Sequence, residues 1–170
     1  MDNKSIRNRK LKLAVVGCGR ISANHFSAIQ QYPQDLELVA VCDANANQLK
    51  KAQETYLIPG FPHLDGLLKN TDPDIVVLCT PSGLHARQTC EAALAGKHII
   101  TEKPMATRWQ DGLEMVRACD QANVHLFVVK QNRRKPPPKK TQKKSMAISV
   151  CRERWIKNWW FMVFYLYIFK

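Results

Sequence analysis

The sequence lacks the ligand spacing of a zinc or redox site. Its six cysteines stand at positions 18, 42, 79, 90, 119 and 151, and they form neither a CxxC pair nor a Cys/His ligand cluster. We therefore expect no metal site. Cys18, Cys42 and Cys79 end apolar runs, where small buried hydrophobic residues are the expected use of cysteine, and free thiols suit a reducing cytoplasm.

A targeting segment and a membrane-spanning run are also missing from the pattern. Residues 1–12 are polar and basic without an apolar stretch, so we expect no secretory signal. The longest apolar run, residues 159–169, covers only about 16 Å as a helix, whereas a bilayer core is about 30 Å thick. We expect no transmembrane span and a cytoplasmic location.

Acidic residues are scarce in the last part of the chain. Residues 133–170 hold eleven Lys and Arg against Glu153 alone, whereas residues 1–132 hold fifteen basic and thirteen acidic residues. The net charge of +12 therefore belongs to the tail and not to the preceding domain. We expect no nucleic-acid partner for that domain.

A glycine-containing stretch near the start carries the strongest pattern. The apolar residues 13–16 run into Gly17 and Gly19, and buried-type residues then recur at three- and four-residue steps over residues 21–29. This pattern predicts a buried strand, a tight turn and a helix start. Gly17 permits the turn, and Gly19 lets a diphosphate approach the backbone at the helix N-terminus. Ser22 takes the place of the third small residue of a dinucleotide fingerprint.

Apolar runs and helical patterns alternate along the rest of the domain. Because the strand runs are continuous rather than alternating, they predict a parallel sheet covered on both faces. The fold class is therefore α/β, a doubly wound and mostly parallel sheet over residues 11–132, after a polar segment at 1–10. Further strands are predicted at 36–43, near 61, 74–79, 98–101 and 126–129, and helices at 49–56, 64–68, 84–95 (ended by Gly96) and 107–122 (capped by Thr107).

An aspartate after the second strand bears on the choice of cofactor. Asp43 stands about twenty-five residues beyond the glycines, where a carboxylate can accept both ribose hydroxyls of an adenosine. It would repel a 2′-phosphate, and residues 44–47 offer no Lys or Arg to receive one. The pattern favours NAD over NADP; the alternative is that Asp43 merely caps the next helix.

Three motifs together carry a family resemblance: residues 17–21, residues 80–85 and the turn Glu102-Lys103-Pro104. In combination they resemble the glucose–fructose oxidoreductase/inositol dehydrogenase (Gfo/Idh/MocA) family. Residues 102–112 and 127–134 look like one branch of it, the NAD-dependent 3-dehydrogenases of UDP-N-acetyl-2-amino-2-deoxyglucuronate, which serve bacterial O-antigen synthesis. The resemblance covers about residues 10–134.

The resemblance implies a Rossmann domain that binds NAD, a UDP-sugar substrate oxidised at its C3 hydroxyl, and a homo-oligomer. The contacts it implies are Gly17, Gly19, Arg20 and Ile21 with the pyrophosphate, Asp43 with the adenosine ribose, Thr80, Pro81, Ser82 and His85 with the nicotinamide ribose, and Glu102, Lys103 and Gln131 near the nicotinamide.

Lys103 is the residue that the resemblance marks as catalytic. Hydride transfer from a sugar carbon needs a base for the hydroxyl proton, or a cation that stabilises the developing alkoxide. The alternative for Lys103 is a surface lysine in a turn, and for His85 a contact at a helix start. His25, His63 and His125 are expected to be structural.

The family pattern stops abruptly after residue 134. A proline- and lysine-rich segment at 135–144 takes the place of the family's second, substrate-binding α/β domain. We expect residues 133–170 not to be a native domain, and favour a shift of the reading frame over a membrane anchor or a nucleic-acid-binding tail. Two functional alternatives stay open: a dehydrogenase of another sugar or polyol, and a truncated, inactive remnant that binds NAD.

Overall fold

The computed structural model describes residues 9–129. The chain divides into two units, Met1–Val129 and Lys130–Lys170. Gln131, the proline- and lysine-rich segment and the apolar run at 159–169 therefore lie outside the described residues, as do residues 1–8. The expectations for them stay predictions.

Six parallel strands form one sheet in the order β3-β2-β1-β4-β5-β6. The predicted α/β fold is confirmed, and every strand pairing within the described part is parallel. The strands are β1 (Leu11–Val16), β2 (Leu36–Cys42), β3 (Gly60–Phe61), β4 (Ile75–Leu78), β5 (His98–Thr101) and β6 (Leu126–Val128), and the helices are α1 (Ser22–Gln31), α2 (Ala46–Tyr56), α3 (Leu64–Asn70), α4 (Ser82–Leu94) and α5 (Trp109–Gln121).

The central strands are apolar throughout because both of their faces are covered. All four residues of β4 are buried, as are the last four of β1. One detail escaped the sequence pattern: the register between β1 and β2 shifts between Leu13 and Ala14. The continuous apolar runs therefore predicted the strands but not this irregularity in their pairing.

Helices cover the sheet on both sides, which makes the fold doubly wound. On one side, α3, α4 and α5 share a single apolar cluster with the strands. On the other side, α1 and α2 lie together, and the rings of Phe26 and Tyr56 approach to 4.3 Å between centroids. None of the helices within residues 9–129 is long and apolar enough to cross a membrane.

The ends of α4 and α5 test the capping predictions. Gly96 ends α4 as predicted, since it adopts a φ of +72° and donates its N–H to the Ala93 carbonyl at 2.8 Å. The predicted starts were wrong. Helix α4 begins at Ser82, two residues early, and α5 begins at Trp109 because Arg108, rather than Thr107, is the extended residue at the N-cap.

Candidate functional site

The predicted site residues within the described part come together at one edge of the sheet. They follow the carboxyl ends of β1, β2, β4 and β5, which in a parallel sheet all lie on the same side. Gln131 lies outside the described residues. This edge therefore brings the glycine turn, Asp43, the loop at residues 80–82 and the turn at residues 102–104 into one neighbourhood.

The two glycines of the first turn meet different requirements. Gly17 has a φ of +92°, and a Cβ there would lie 2.8–2.9 Å from the backbone of Cys79 and Thr80. A Cβ at Gly19 would meet no atom within 4 Å. Gly17 is therefore required by the fold itself, whereas the open space at Gly19 is available to a ligand.

The start of α1 is prepared for an anion. Ile21 occupies the N-cap and makes no side-chain capping bond, and the first turn carries no acidic residue. Ser22 turns its hydroxyl away from the helix N–H groups and donates it to the Gly19 carbonyl at 2.6 Å. The first-turn amides and the positive end of the helix dipole thus suit a diphosphate, beside the exposed Arg20.

Asp43 is fixed directly beside the glycine turn. Its Oδ2 accepts the Cys18 N–H at 2.6 Å and its Oδ1 accepts the Asn45 N–H at 2.8 Å. The helix-cap alternative for Asp43 does not hold, because Asn45 caps α2 by accepting the N–H groups of Asn47 and Gln48. The carboxylate is therefore held at the tip of β2 by the turn that precedes α1.

Burial suppresses the reactivity of the thiols next to this turn. Burial, with the charge of Asp43 adding to it, raises the pKa of Cys18 to about 12. Burial also raises the pKa of Cys42 to about 12, with Cys18 and Asp43 contributing. Both side chains stay neutral near pH 7, as expected for small buried hydrophobic residues.

The loop after β4 is tied to the rest of the edge by His85. The ring is 1% exposed; its Nε2 lies 2.8 Å from the Thr80 carbonyl and its Nδ1 lies 3.0 Å from the Pro104 carbonyl. A neutral imidazole donates from one nitrogen only, and an imidazolium from both. His85 lies inside α4 rather than at its cap, and it bridges two loops.

The other predicted residues of the loop after β4 differ in their exposure and contacts. Pro81 is exposed and Ser82 is half-buried. Thr80 donates its hydroxyl to Gln88 Oε1 at 2.5 Å.

Glu102 is the buried charged residue of the edge. It is 4% exposed, and its Oε1 lies 2.9 Å from His25 Nε2. Its Oε2 accepts the Lys103 N–H at 3.2 Å. Burial opposes ionisation, but the His25 hydrogen bond and the Lys103 amide outweigh it and hold the pKa of Glu102 below its ordinary value.

Lys103 lies between these two anchors with its side chain exposed at the edge. The peptide bond from Lys103 to Pro104 is cis. Within residues 9–129 the ammonium group makes no hydrogen bond, so it is available to a bound ligand.

Sequence reasoning missed one residue of this site, His25. It was expected to be structural and it is fully buried, but its contact from α1 with the Glu102 carboxylate was not predicted. The signal was present in the chain, because His25 falls on the apolar stripe of α1 beside Phe26 and Ile29. A titratable side chain on a buried helix face requires a polar partner.

Comparison with known proteins identifies the domain. The oxidoreductase family with an NAD-binding Rossmann fold (GFO_IDH_MocA) matches residues 11–130. The chain belongs to this family. The site fits the family's cofactor, NAD, in three respects: the open approach at Gly19, the uncapped start of α1, and a carboxylate at Asp43 where a 2′-phosphate would be repelled.

Two solved structures of WlbA dehydrogenases, each in complex with NADH and UDP-GlcNAcA, are similar to this Gfo/Idh/MocA chain. The structure from Chromobacterium violaceum is 55% identical, with a TM-score of 0.74 over 76% of this chain and 37% of its own. The structure from Bordetella pertussis is 52% identical, with a TM-score of 0.75 over 76% of this chain and 38% of its own.

A curated relative extends the comparison to another sugar dehydrogenase. D-glucoside 3-dehydrogenase of Escherichia coli K12 is 33% identical over 113 residues, which make up 66% of this chain and 31% of that protein. The chain thus spans about a third of the length of the relatives it matches.

Proposed function

We propose that this chain is the NAD-binding part of a dehydrogenase that oxidises the C3 hydroxyl of UDP-N-acetyl-2-amino-2-deoxyglucuronate, for O-antigen synthesis. The observation that supports this choice of substrate is the 55% identity to a WlbA dehydrogenase in complex with NADH and UDP-GlcNAcA. That identity is far above the 33% shared with the D-glucoside 3-dehydrogenase.

In this proposal the glycine turn and α1 hold the cofactor pyrophosphate. Gly17, Gly19, Arg20 and Ile21 supply the backbone amides and a cation, and Asp43 accepts the hydroxyls of the adenosine ribose. The support is geometric: the space at Gly19 is open, and the Asp43 carboxylate is oriented by the Cys18 amide. The negative charge of Asp43 discriminates against a 2′-phosphate.

The nicotinamide half then lies along the loops after β4 and β5. Bound NAD supplies the acceptor for a hydride from the sugar carbon. The proposed contacts on this side are Thr80, Pro81, Ser82, His85, Glu102, Lys103 and Gln131. Of these, His85 and Glu102 are buried and hold the loops, whereas the exposed side chain of Lys103 is free to reach a sugar hydroxyl.

Lys103 is the proposed catalytic residue. As a neutral amine it accepts the proton of the sugar hydroxyl while a hydride leaves the carbon that bears this hydroxyl. As an ammonium it stabilises the developing alkoxide. Its backbone is held on both sides, by Glu102 before it and by Pro104, whose carbonyl His85 approaches, after it. A fixed backbone limits the volume that the side chain searches.

A second candidate within the same family is a dehydrogenase of another sugar or polyol. It is favoured by the similarity to the D-glucoside 3-dehydrogenase and, at 29% identity over 110 residues, to an inositol 2-dehydrogenase from Salmonella paratyphi B. The homo-oligomer implied by the resemblance and the cytoplasmic location expected from the sequence stay predictions.

The test is NADH formation by the dehydrogenase of which this chain is proposed to be the NAD-binding part, with NAD⁺ and UDP-GlcNAcA, alongside a glucoside and myo-inositol. We expect NADH with the UDP-sugar only, and a loss of at least about a hundredfold in Lys103→Met. Lys69→Met is the matched control, because Lys69 is an exposed lysine in the last turn of α3. NADH from another sugar would support the second candidate. Cofactor binding without NADH from any sugar would identify an inactive remnant.

A further inference from the structure

The turn that carries Lys103 is held by two buried histidines from different helices. His25 on α1 contacts the Glu102 carboxylate at 2.9 Å, and His85 on α4 contacts the Pro104 carbonyl at 3.0 Å. These contacts fall on the residues immediately before and after Lys103. The turn is therefore held on both sides of Lys103, whose side chain is exposed.

The two contacts differ in what they connect. His85 joins two neighbouring loops, whereas His25 joins the turn to α1, the helix whose start is suited to the cofactor pyrophosphate. His25 lies in the second turn of α1, only three residues beyond its first residue, Ser22. The His25–Glu102 hydrogen bond therefore connects the first part of α1 directly to the turn that carries Lys103.

The His25–Glu102 pair is a poor choice for stability alone. Its side chains are 0% and 5% exposed, and an apolar pair of similar volume is often equally stable at such depth. What an apolar pair cannot do is direct the carboxylate. Glu102 accepts from His25 with one oxygen and from the Lys103 amide with the other, so the pair fixes the orientation of the Lys103 backbone.

We propose that His25 is a positioning residue that acts through Glu102 to set the Lys103 turn against the nicotinamide end of the cofactor. This inference rests on the proposed function, which locates the turn beside the nicotinamide. His25 does not itself touch the cofactor or the substrate.

Two ligands separate the nicotinamide end from the rest of the cofactor. NADH contains the nicotinamide ring, and ADP-ribose lacks it while keeping the adenosine and the pyrophosphate. The ratio of their dissociation constants therefore reports the nicotinamide side alone. A change that only loosens the fold weakens both ligands together.

The variants are His25→Leu, which removes the donor, and His25→Gln, which restores one. We expect His25→Leu to raise the Kd of NADH about tenfold and that of ADP-ribose less than about twofold. His25→Gln should stay near the wild-type ratio. His98→Leu is the matched control, because His98 accepts the His125 N–H at 3.0 Å at the opposite edge of the sheet.

The outcomes distinguish the inference from the function on which it rests. If the wild-type chain binds neither ligand, or binds both equally, the proposed location of the nicotinamide is wrong and the inference falls with it. If the wild type prefers NADH but His25→Leu weakens both ligands alike, or His25→Gln fails to restore the ratio, only the inference is overturned.

A measurement on the wild-type chain covers the case in which His25→Leu does not fold. The ring nitrogen resonances of His25 are followed by NMR as NADH or ADP-ribose is added. We expect a shift with NADH that exceeds the shift with ADP-ribose. Equal shifts, or no shift with either ligand, would contradict the inference.

Discussion

A Cβ atom at Gly17 would lie 2.8 Å from the carbonyl carbon of Cys79. The turn after β1 and the end of β4 are therefore in direct backbone contact, which leaves no room for a side chain. The contact aligns the start of α1 with the loop at residues 80–82. The cofactor edge of the sheet is built on this approach.

Gly17→Ala should destabilise the domain. The alanine must adopt a φ near +92° and displace the backbone of Cys79 and Thr80, so we expect a loss of more than about 1 kcal/mol in the free energy of unfolding. Urea denaturation followed by circular dichroism measures it. An unchanged midpoint would show that the two loops separate without cost.

Gly19→Ala should leave the stability of the domain nearly unchanged but weaken the binding of NAD⁺, and it is the matched control for Gly17→Ala. Its Cβ would meet no protein atom within 4 Å, so the free energy of unfolding should change by less than about 0.5 kcal/mol. Its Kd for NAD⁺ should rise about tenfold or more, because the methyl group occupies the space of the pyrophosphate. Unchanged affinity would locate the pyrophosphate elsewhere.

Glu102 should make the stability of the domain depend on acid pH. Its pKa is lowered in the folded state, so its contribution is full above the unfolded value of about 4.3 and is lost as the pH falls through the folded value. We expect the stability gap between wild type and Glu102→Gln to shrink from about pH 6 to about pH 3. Glu37→Gln, at an exposed position of β2, should show no such gap.

The buried thiols should resist alkylation in the folded protein. At a pKa of about 12, only about one thiol in ten thousand is ionised at pH 8, so Cys18 and Cys42 should react far more slowly than the partly exposed Cys90. Peptide mapping after iodoacetamide treatment measures each site, and urea-unfolded protein is the control. Cys18 modified as fast as Cys90 would show that the glycine turn opens.

The sequence pattern predicted the sheet well because parallel strands that are buried on both faces appear in the sequence as continuous apolar runs. Residues 13–16 and 75–78 are apolar throughout, and both stretches are fully buried. Gly96 predicted the end of α4 correctly because the residue after a helix often adopts a positive φ, here +72°, which glycine accommodates.

The features that the pattern missed depend on distant parts of the chain. His25 and Glu102 are 77 positions apart, and their contact follows from the rotation of α1 over the sheet, which no local spacing encodes. The start of α5 was misjudged because Thr107 has the preferred capping chemistry, yet Arg108 is the residue that remains extended. The sequence pattern predicted Asp43 as a site residue. Its hydrogen bond with the Cys18 amide could not be predicted, because that bond depends on the three-dimensional path of the glycine turn.

The central claim is that the glycine turn and Asp43 form an NAD site, and calorimetric titration of the full chain with NAD⁺ and NADP⁺ tests it most directly. We expect NAD⁺ to bind more tightly than NADP⁺. Asp43→Ala should raise the Kd of NAD⁺ about tenfold and reduce the ratio of the Kd of NADP⁺ to that of NAD⁺. A chain that is folded by circular dichroism yet binds neither nucleotide, or binds both equally, would contradict the account.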